Sequence, residues 1–356
     1  MKIFTVIGAR PQFIKAAVVS RALKAHRPDV REVLVHTGQH FDENMSDVFF
    51  NELDIPHPNH NLGIGGGTHG QNTGRMIERL EALMIEEAPD QVMVYGDTDS
   101  TLAAALAAAK LHVPVVHVEA GLRSFNPSMP EEINRVLTDH LATQLFAPTE
   151  SARLNLHDAG ISPEKIHVVG DVMYDAALLY KGRSRKPIWF DALEMACAEF
   201  VLCTIHRAEN ADHRNRMKGI LNGLENAARP VILPLHPRTR KNLQSMGLNI
   251  PKNVHVVTPV GYLEMIWLEL NCYCVVTDSG GVQKEAYFHG KPCVTLRDET
   301  EWTELVFAGW NVLAPPNKSG ALEAAIESAW DKTSELTQLY GDGNAATKIA
   351  LAIDVG

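Results

Sequence analysis

The sequence predicts two doubly wound α/β domains, each built on a parallel sheet with helices on both faces. Three observations carry this expectation. Short apolar, β-branched runs alternate with amphipathic stretches from end to end, the runs fall into two sets, and 356 residues exceed one ordinary domain. With 45% hydrophobic and 21% charged residues, each half can bury a full core.

In chain order, the first set of strands is expected at residues 3–7, 32–36, 91–95, 113–118 and 144–147. These runs are apolar almost throughout rather than alternating, as strands buried on both faces must be. Helical periodicity fills the gaps, for example at 12–26 and 68–88. Residues 166–170 follow, and then the basic, proline-containing stretch 181–187, where periodicity lapses and a boundary is expected. The second set lies at 201–205, 231–235, 254–257, 274–277 and 293–296. The division expected is 1–170 for the first domain and 171–340 for the second. A last helix within 341–356 crosses back to the first domain.

Acidic residues outnumber basic ones, 43 to 33, for a net charge of −10, and the cations are scattered. No nucleic-acid or anionic-membrane partner is expected from that balance. The Ala-rich run 101–109 is too short to span a bilayer. Residues 1–7 lack the apolar length and cleavage site of a signal peptide. The five cysteines contain no CxxC pair, and several sit in runs that read as buried strand, so a cytoplasmic location is expected.

Ligands of open parallel sheets bind at the carboxyl ends of the strands, where helix N-termini offer unpaired N–H groups. Here the strands run into Gly8-Ala9-Arg10, Gly38-Gln39-His40, Gly96-Asp97-Thr98, Glu119-Ala120-Gly121, His206-Arg207, His236-Pro237-Arg238 and Asp278-Ser279-Gly280-Gly281. Glycines and ionisable groups at nearly every exit point to one cleft lined from both domains. Ser279-Gly280-Gly281 would offer N–H groups to a phosphate, with Arg10, Lys15, His206 and His236 adding charge. The plainer alternatives are a tight turn for the glycines and, for each histidine taken singly, a satisfied buried imidazole.

Asp97 and Glu119 follow neighbouring strands, and Glu131 opens a helix at Pro130-Glu131-Glu132. Acids facing an anion repel it unless one is protonated or works as an acid or base, which points to chemistry. Asp99 and Glu132 read instead as ordinary acids of a first helical turn. Residues 65–70 match the spacing GxGxxG, but no convincing strand precedes them and they read as a loop. The histidines at 57 and 60 make a poor metal site. Neither a metal nor a nicotinamide cofactor is expected.

Seven motifs, in order, carry a resemblance. They are Gly8-Ala9-Arg10-Pro11-Gln12-Phe13-Ile14-Lys15, Thr37-Gly38-Gln39-His40, Gly96-Asp97-Thr98, the run from His117 to Arg123, the run from Pro130 to Arg135, the run from His206 to Asn210 and the run from Asp278 to Glu285. Together they resemble the non-hydrolysing UDP-N-acetylglucosamine 2-epimerases over nearly the whole chain. The resemblance implies a GT-B architecture, two Rossmann-like domains around a central cleft, and a homodimer. It implies that Arg10, Lys15 and Arg135 contact a UDP-sugar from the first domain. From the second, His206, His236, Ser279, Gly280, Gly281 and Glu285 hold UDP, with Glu285 on the ribose. Asp97, Glu119 and Glu131 match the family's catalytic carboxylates, and His206 is counted with them.

Those roles fit the chemistry. The C2 proton of a 2-acetamido sugar is hardly acidic, and expelling UDP from C1 makes it removable, giving a glycal to which UDP can re-add after protonation from the other face. Departures from the family pattern bear on the substrate: Ala9, Gln12 and Phe13 in the opening motif, Ala208 after His206-Arg207, and Trp302 where an arginine is usual. The combination resembles the branch acting on UDP-2,3-diacetamido-2,3-dideoxy-D-glucuronate for O-antigen sugars, with UDP-N-acetylglucosamine as the alternative substrate. Phe41 and Val48 stand where arginine and glutamine are usual in members activated by a second substrate molecule, so little or no such activation is expected. A GT-B glycosyltransferase, a hydrolysing epimerase and a noncatalytic nucleotide-sugar binder are the rival readings.

Overall fold

The computed structural model describes residues 1–39, 53, 55–235, 237–331 and 337–353, with the side chains of 237 and 238 excepted. The chain divides into two compact units, Met1–Leu178 with Gln338–Gly356, and Leu179–Thr337.

The first unit contains seven strands: β1 (Lys2–Ile7), β2 (Arg31–His36), β3 (His60–Asn61), β4 (Gln91–Tyr95), β5 (Val115–Val118), β6 (Gln144–Ala147) and β7 (Ile166–Val168). They pair in parallel in the order β3-β2-β1-β4-β5-β6-β7. The chain starts at the middle, builds to one edge, then returns to β1 and builds to the other. The order therefore reverses between β1 and β4, and such a switch point leaves a crevice at the strands' carboxyl ends. Strand β4 is buried along its length, as its continuous QVMVY requires of a central position.

Helices α1 (Arg10–His26), α2 (His69–Glu87), α3 (Asp99–Lys110), α4 (Pro130–Leu141), α5 (Glu150–Asp158) and α6 (Val172–Lys181) follow the strands. The Ala-rich run lies in α3. Five of its alanines, 103, 104, 105, 107 and 108, are fully buried among Val6, Val92, Val94 and the α2 residues Met76 and Leu80. Small side chains let this helix lie close on the sheet. No helix of the described residues is long and apolar enough to cross a membrane.

In the second unit β8 (Val201–Thr204), β9 (Val231–Pro234), β10 (Val254–Val257), β11 (Cys274–Thr277), β12 (Cys293–Thr295) and β13 (Asn311–Leu313) form a parallel sheet in the order β10-β9-β8-β11-β12-β13. Its reversal falls between β8 and β11. The helices are α7 (Ala208–Ala211), α8 (Arg214–Asn226), α9 (Pro237–Ser245), α10 (Tyr262–Asn271), α11 (Gly280–Phe288), α12 (Thr303–Phe307) and α13 (Ala321–Glu327). One core layer holds Val201, Cys203, Leu233, Val276 and Val294 against Met217, Ile220 and Leu224 of α8. The other packs Phe190, Phe200, Leu202, Ile232 and Val275 against Leu268 of α10.

Helix α14 (Ala345–Ala352) belongs to the first unit and packs on α1. Its N-terminus is held by Asp175 of α6, whose carboxylate accepts from the N–H of Ala345 (3.1 Å) and Ala346 (2.7 Å). Its C-terminal end is tied by Gln144 Nε2 to the Ala352 carbonyl (2.6 Å) and by Arg27 Nη1 to the Ile353 carbonyl (3.0 Å). The ten expected strands are all present, with ends differing by a residue or two. Edge strand β7 falls within the stretch 166–170, and the two others, β3 and β13, are edge strands of two or three residues. They are too short to show an apolar run.

Candidate active site

Everything that converges in the first unit does so at the exits of β1, β4 and β5. Gly8, after β1, is required by space: a Cβ there would meet Ser100 Oγ at 2.1 Å and Thr37 Oγ1 at 2.2 Å. Gln12 then ties two exits together. Its Oε1 accepts from the N–H of Gly8 (2.7 Å) and Ala9 (3.0 Å), and its Nε2 donates to the Tyr95 carbonyl (2.7 Å), Thr98 Oγ1 (3.0 Å) and Thr101 Oγ1 (2.9 Å). The buried ring of Phe13 packs on His36 at the end of β2, with centroids 5.0 Å apart. Two of the departures in the opening motif thus have structural work.

Lys15, one turn further along α1, forms an ion pair with Glu119, and the two side chains are only 8% and 7% exposed. Glu119 follows β5 with a positive φ of 69°, where its own N–H and that of Ala120 both donate to the Phe146 carbonyl (3.1 and 3.0 Å). Gly96 leaves room for the pair, since a Cβ there would stand 3.2 Å from Glu119 Oε2 and 3.5 Å from Lys15 Nζ. Asp97, the next residue, accepts from Arg135 through Nη2 (2.5 Å) and Nε (3.2 Å). Burial pushes the Asp97 carboxyl up from its ordinary value and, with the Glu119 charge added, outweighs the opposing pull of Arg135 and Lys15. A carboxyl so placed holds its proton longer than an ordinary aspartate.

Asp97 and Lys15 line a cavity of about 210 Å³, with Gln39, His69, Asp99, Glu131 and Asn134 among its other walls. Glu131 sits in the first turn of α4, exposed, at the positive end of the helix. The structure therefore brings Lys15, Asp97, Glu119 and Arg135 into one cluster and puts Glu131 on the same cavity. Arg10 opens α1 and is half-buried. Arg135, expected as a substrate contact, has its buried guanidinium divided between Asp97 and Glu132. Glu132 also does more than serve a helix dipole. Burial would raise its carboxyl, but the N–H and hydroxyl of Ser124, the charge of Arg135 and the N–H of Phe125 outweigh it and hold the group below the usual range.

A second buried set supports these exits, joining residues of the His117 to Arg123 run to Asp139, which the sequence did not single out. His117, inside β5, donates from Nε2 to the Gly96 carbonyl (2.8 Å) and pairs through Nδ1 with Asp139 (2.8 Å). Asp139 also accepts from Arg123 Nη1 (2.6 Å) and the Gly121 N–H (3.3 Å). The turn that carries Asp97 is thereby fixed to the strand that carries Glu119. Only the topology joins these residues, so no local spacing announces them.

The second unit gathers its polar residues at the exits of β8 and β11. Asp278, fully buried, accepts from the N–H groups of His206 (2.9 Å) and Arg207 (3.2 Å) and from Asn210 Nδ2 (3.0 Å), which pins the β8 exit to the β11 exit. His206 is exposed, contrary to the buried imidazole expected of a histidine taken singly. It lies beyond the last residue of β8, where the apolar layer has ended. Ser279 caps α11, and Gly280 and Gly281 are its first two residues. Neither has a positive φ, so the pair is not a left-handed turn. A Cβ at Gly280 would meet Glu301 Oε1 at 2.4 Å, and one at Gly281 would enter open space. The Ser279 N–H donates to Thr277 Oγ1 (3.0 Å), which leaves the N–H groups of Gly280 and Gly281 at the helix N-terminus, the kind of position that suits an anion.

Trp302 is buried beside that terminus, with Lys284 Nζ 4.2 Å from its ring centroid. Burial would raise the neighbouring Glu301, but Arg297, bonded to it at 2.8 Å, holds it below its ordinary value. Glu285 is buried on α11. His236, Phe41 and Val48 lie outside the described residues. Among those described, no three His, Cys, Asp or Glu side chains group as metal ligands would.

A family model described as UDP-N-acetylglucosamine 2-epimerase matches residues 21–354. A Pseudomonas aeruginosa protein named UDP-2,3-diacetamido-2,3-dideoxy-D-glucuronate 2-epimerase is 53% identical over 355 residues, covering 98% of each chain. A Methanocaldococcus jannaschii protein named UDP-N-acetylglucosamine 2-epimerase is 42% identical, covering all of both chains. The crystal structure of a UDP-GlcNAc 2-epimerase from that organism in complex with UDP-GlcNAc and UDP superimposes with a TM-score of 0.91 at 43% identity and full coverage of both chains. That of the Neisseria meningitidis UDP-GlcNAc 2-epimerase bound to UDP-GlcNAc gives 0.88 at 32% identity over 99% of each. The fold is of the GT-B class, with two Rossmann-like units.

Proposed function

The chain belongs to the UDP-N-acetylglucosamine 2-epimerase family, and from that premise we propose that it is a non-hydrolysing isomerase of UDP-2,3-diacetamido-2,3-dideoxy-D-glucuronate, inverting C2 to give the mannuronate epimer. The substrate reading is carried by one observation: 53% identity over 98% of a relative named for that reaction. A second reading, UDP-N-acetylglucosamine, is favoured by the relatives at 42% identity named for it. In this reading the enzyme is a homodimer that supplies O-antigen precursors, by the family resemblance, and works in the reducing cytoplasm that its cysteine usage favours.

The chemistry follows from the cluster at the β4 and β5 exits. The C2 proton leaves to a carboxylate as the C1–O bond to the diphosphate breaks, and the electron pair forms the C1=C2 bond of a glycal. The α11 N-terminus (Ser279, Gly280, Gly281), His206 and His236 stabilise the departing diphosphate, and Glu285 holds the ribose. Arg10 and Lys15 add positive charge from the first unit. Re-addition of UDP with protonation of C2 from the opposite face completes the inversion.

Asp97, Glu119 and Glu131 are the acid and base groups. Asp97, raised by burial and by the Glu119 charge, suits proton donation, and Glu119 stands beside it paired with Lys15. Arg135 acts through Asp97.

The test is turnover of each nucleotide-sugar supplied separately to the purified protein, with products resolved by chromatography. The kcat/KM for the diacetamido-glucuronate is expected to exceed that for UDP-N-acetylglucosamine by at least about 100-fold. A preference for UDP-N-acetylglucosamine selects the second reading. Free sugar with UDP marks a hydrolase, and transfer to an added acceptor marks a glycosyltransferase.

A further inference from the structure

One polar pair on the first unit's cavity has no part in the elimination chemistry. His69 is the first residue of α2, directly after Gly65-Gly66-Gly67 and the capping Thr68, and its side chain is 72% exposed. Its Nδ1 donates to Asp99 Oδ2 at 2.8 Å, and that carboxylate is only 7% exposed. The other oxygen of Asp99 accepts from Asn134 Nδ2 at 3.2 Å. His69, Asp99 and Asn134 all line the cavity that Lys15, Asp97 and Glu131 also line. One end of the imidazole is therefore fixed by a nearly buried anion, and its Nε2 makes no hydrogen bond among the described residues.

The charges on this cavity make that nitrogen consequential. Its described walls carry the acids Asp97, Asp99 and Glu131, and their basic side chains are Lys15, already paired with Glu119, and the imidazole of His69. A neutral hexose needs no further cation there. A uronate brings one more negative charge and would be repelled unless a donor met it.

We propose that His69 is the specificity-determining residue for the sugar carboxylate, an imidazolium donating from Nδ1 to Asp99 and from Nε2 to the C6 carboxylate of a UDP-uronate. The inference rests on the substrate reading above and deepens it. The positive end of α2 adds to the attraction for an anion. Asp99 is the positioning residue: it fixes the ring plane and the direction of Nε2.

The experiment is calorimetric binding of four ligands to the wild type, His69→Ala, His69→Gln and Asp99→Asn, together with turnover of the diacetamido-glucuronate. The ligands are UDP, UDP-N-acetylglucosamine, UDP-2-acetamido-2-deoxyglucuronate and the diacetamido-glucuronate. The second and third differ only at C6. His69→Ala is expected to weaken both uronates by about 30-fold and UDP and UDP-N-acetylglucosamine by less than about 3-fold. His69→Gln, a neutral donor, should fall between, and Asp99→Asn should weaken uronates selectively while leaving UDP binding in place.

Equal weakening of all four ligands, or none, overturns the role of His69 while leaving the substrate reading standing if the wild type still epimerises the diacetamido-glucuronate. A wild type that neither epimerises the uronates nor binds them more tightly than UDP-N-acetylglucosamine overturns the substrate reading and this inference with it.

Discussion

Asp97 lies between influences of opposite sign. Burial and the Glu119 charge raise it, and Arg135 lowers it. Replacing it with asparagine keeps the shape and an acceptor for Arg135 but removes the proton that the proposed chemistry moves. Asp97→Asn, Glu119→Gln and Glu131→Gln are each expected to lower kcat by at least about 100-fold while changing the Kd for UDP by less than about 3-fold. Wild-type turnover in any of the three removes that residue from the chemistry. Lys15→Met should behave differently, because it leaves Glu119 as a buried charge without its cation, a change of about 3–5 kcal/mol in stability visible in urea unfolding. At this scale the sequence was partly legible. A glycine or acid after a strand is a one-dimensional pattern, and Asp97, Glu119, Gly96 and Gly280 stood in it. The bond from Arg135 to Asp97 spans 38 positions and the one from His117 to Gly96 spans 21, so these partners appear only when the sheet is assembled. Trp302 was legible as a missing arginine, while its packing over Lys284 was not.

At the scale of elements, α14 depends on one carboxylate. Asp175 accepts two N–H groups from its first turn, yet burial raises the Asp175 carboxyl from 3.8 to about 6, with Asp171 and Asp342 adding to the rise against the two backbone bonds. A group raised in the folded state favours folding when protonated. That contribution is complete below about pH 4 and is lost as the pH rises through about 6. The stability of the wild type minus that of Asp175→Asn, from urea unfolding, should therefore fall between about pH 4 and about pH 6. A difference that rises across this window contradicts the assignment. Amide exchange at residues 345–352 should quicken in Asp175→Ala, because the first turn loses its acceptor. The long buried strands were legible because continuous apolar runs have few other uses. His60–Asn61 and Asn311–Leu313 were not, since two or three residues at an edge carry no period. The Gly280-Gly281 pair left open a turn or a helix start, and backbone angles decide for the helix.

Across the whole molecule the same order recurs in two sheets, each reversing beside its first strand, β1 in one unit and β8 in the other. Both sets of polar residues sit at the reversals: Gly8 to Lys15 with Gly96-Asp97 in one unit, His206-Arg207 with Asp278 to Gly281 in the other. Alternation and strand count made this architecture readable from the chain, and the ordered motifs made the family readable. The substrate was less so, because the departures that marked the branch, Ala9, Gln12 and Phe13, proved to include residues packing the β1 exit, with Gln12 bonded to backbone and hydroxyls. Such residues report on the branch through the scaffold. The central claim is that C2 is inverted by elimination and re-addition, which exposes that carbon to solvent protons. Proton NMR of the purified protein with UDP-2,3-diacetamido-2,3-dideoxy-D-glucuronate in deuterated water tests it most directly. The account predicts that the manno epimer appears with deuterium at C2 and that the C2 proton signal of the remaining substrate decays as equilibrium is approached. An epimer that retains its C2 proton, or no exchange despite saturable UDP binding, would contradict it.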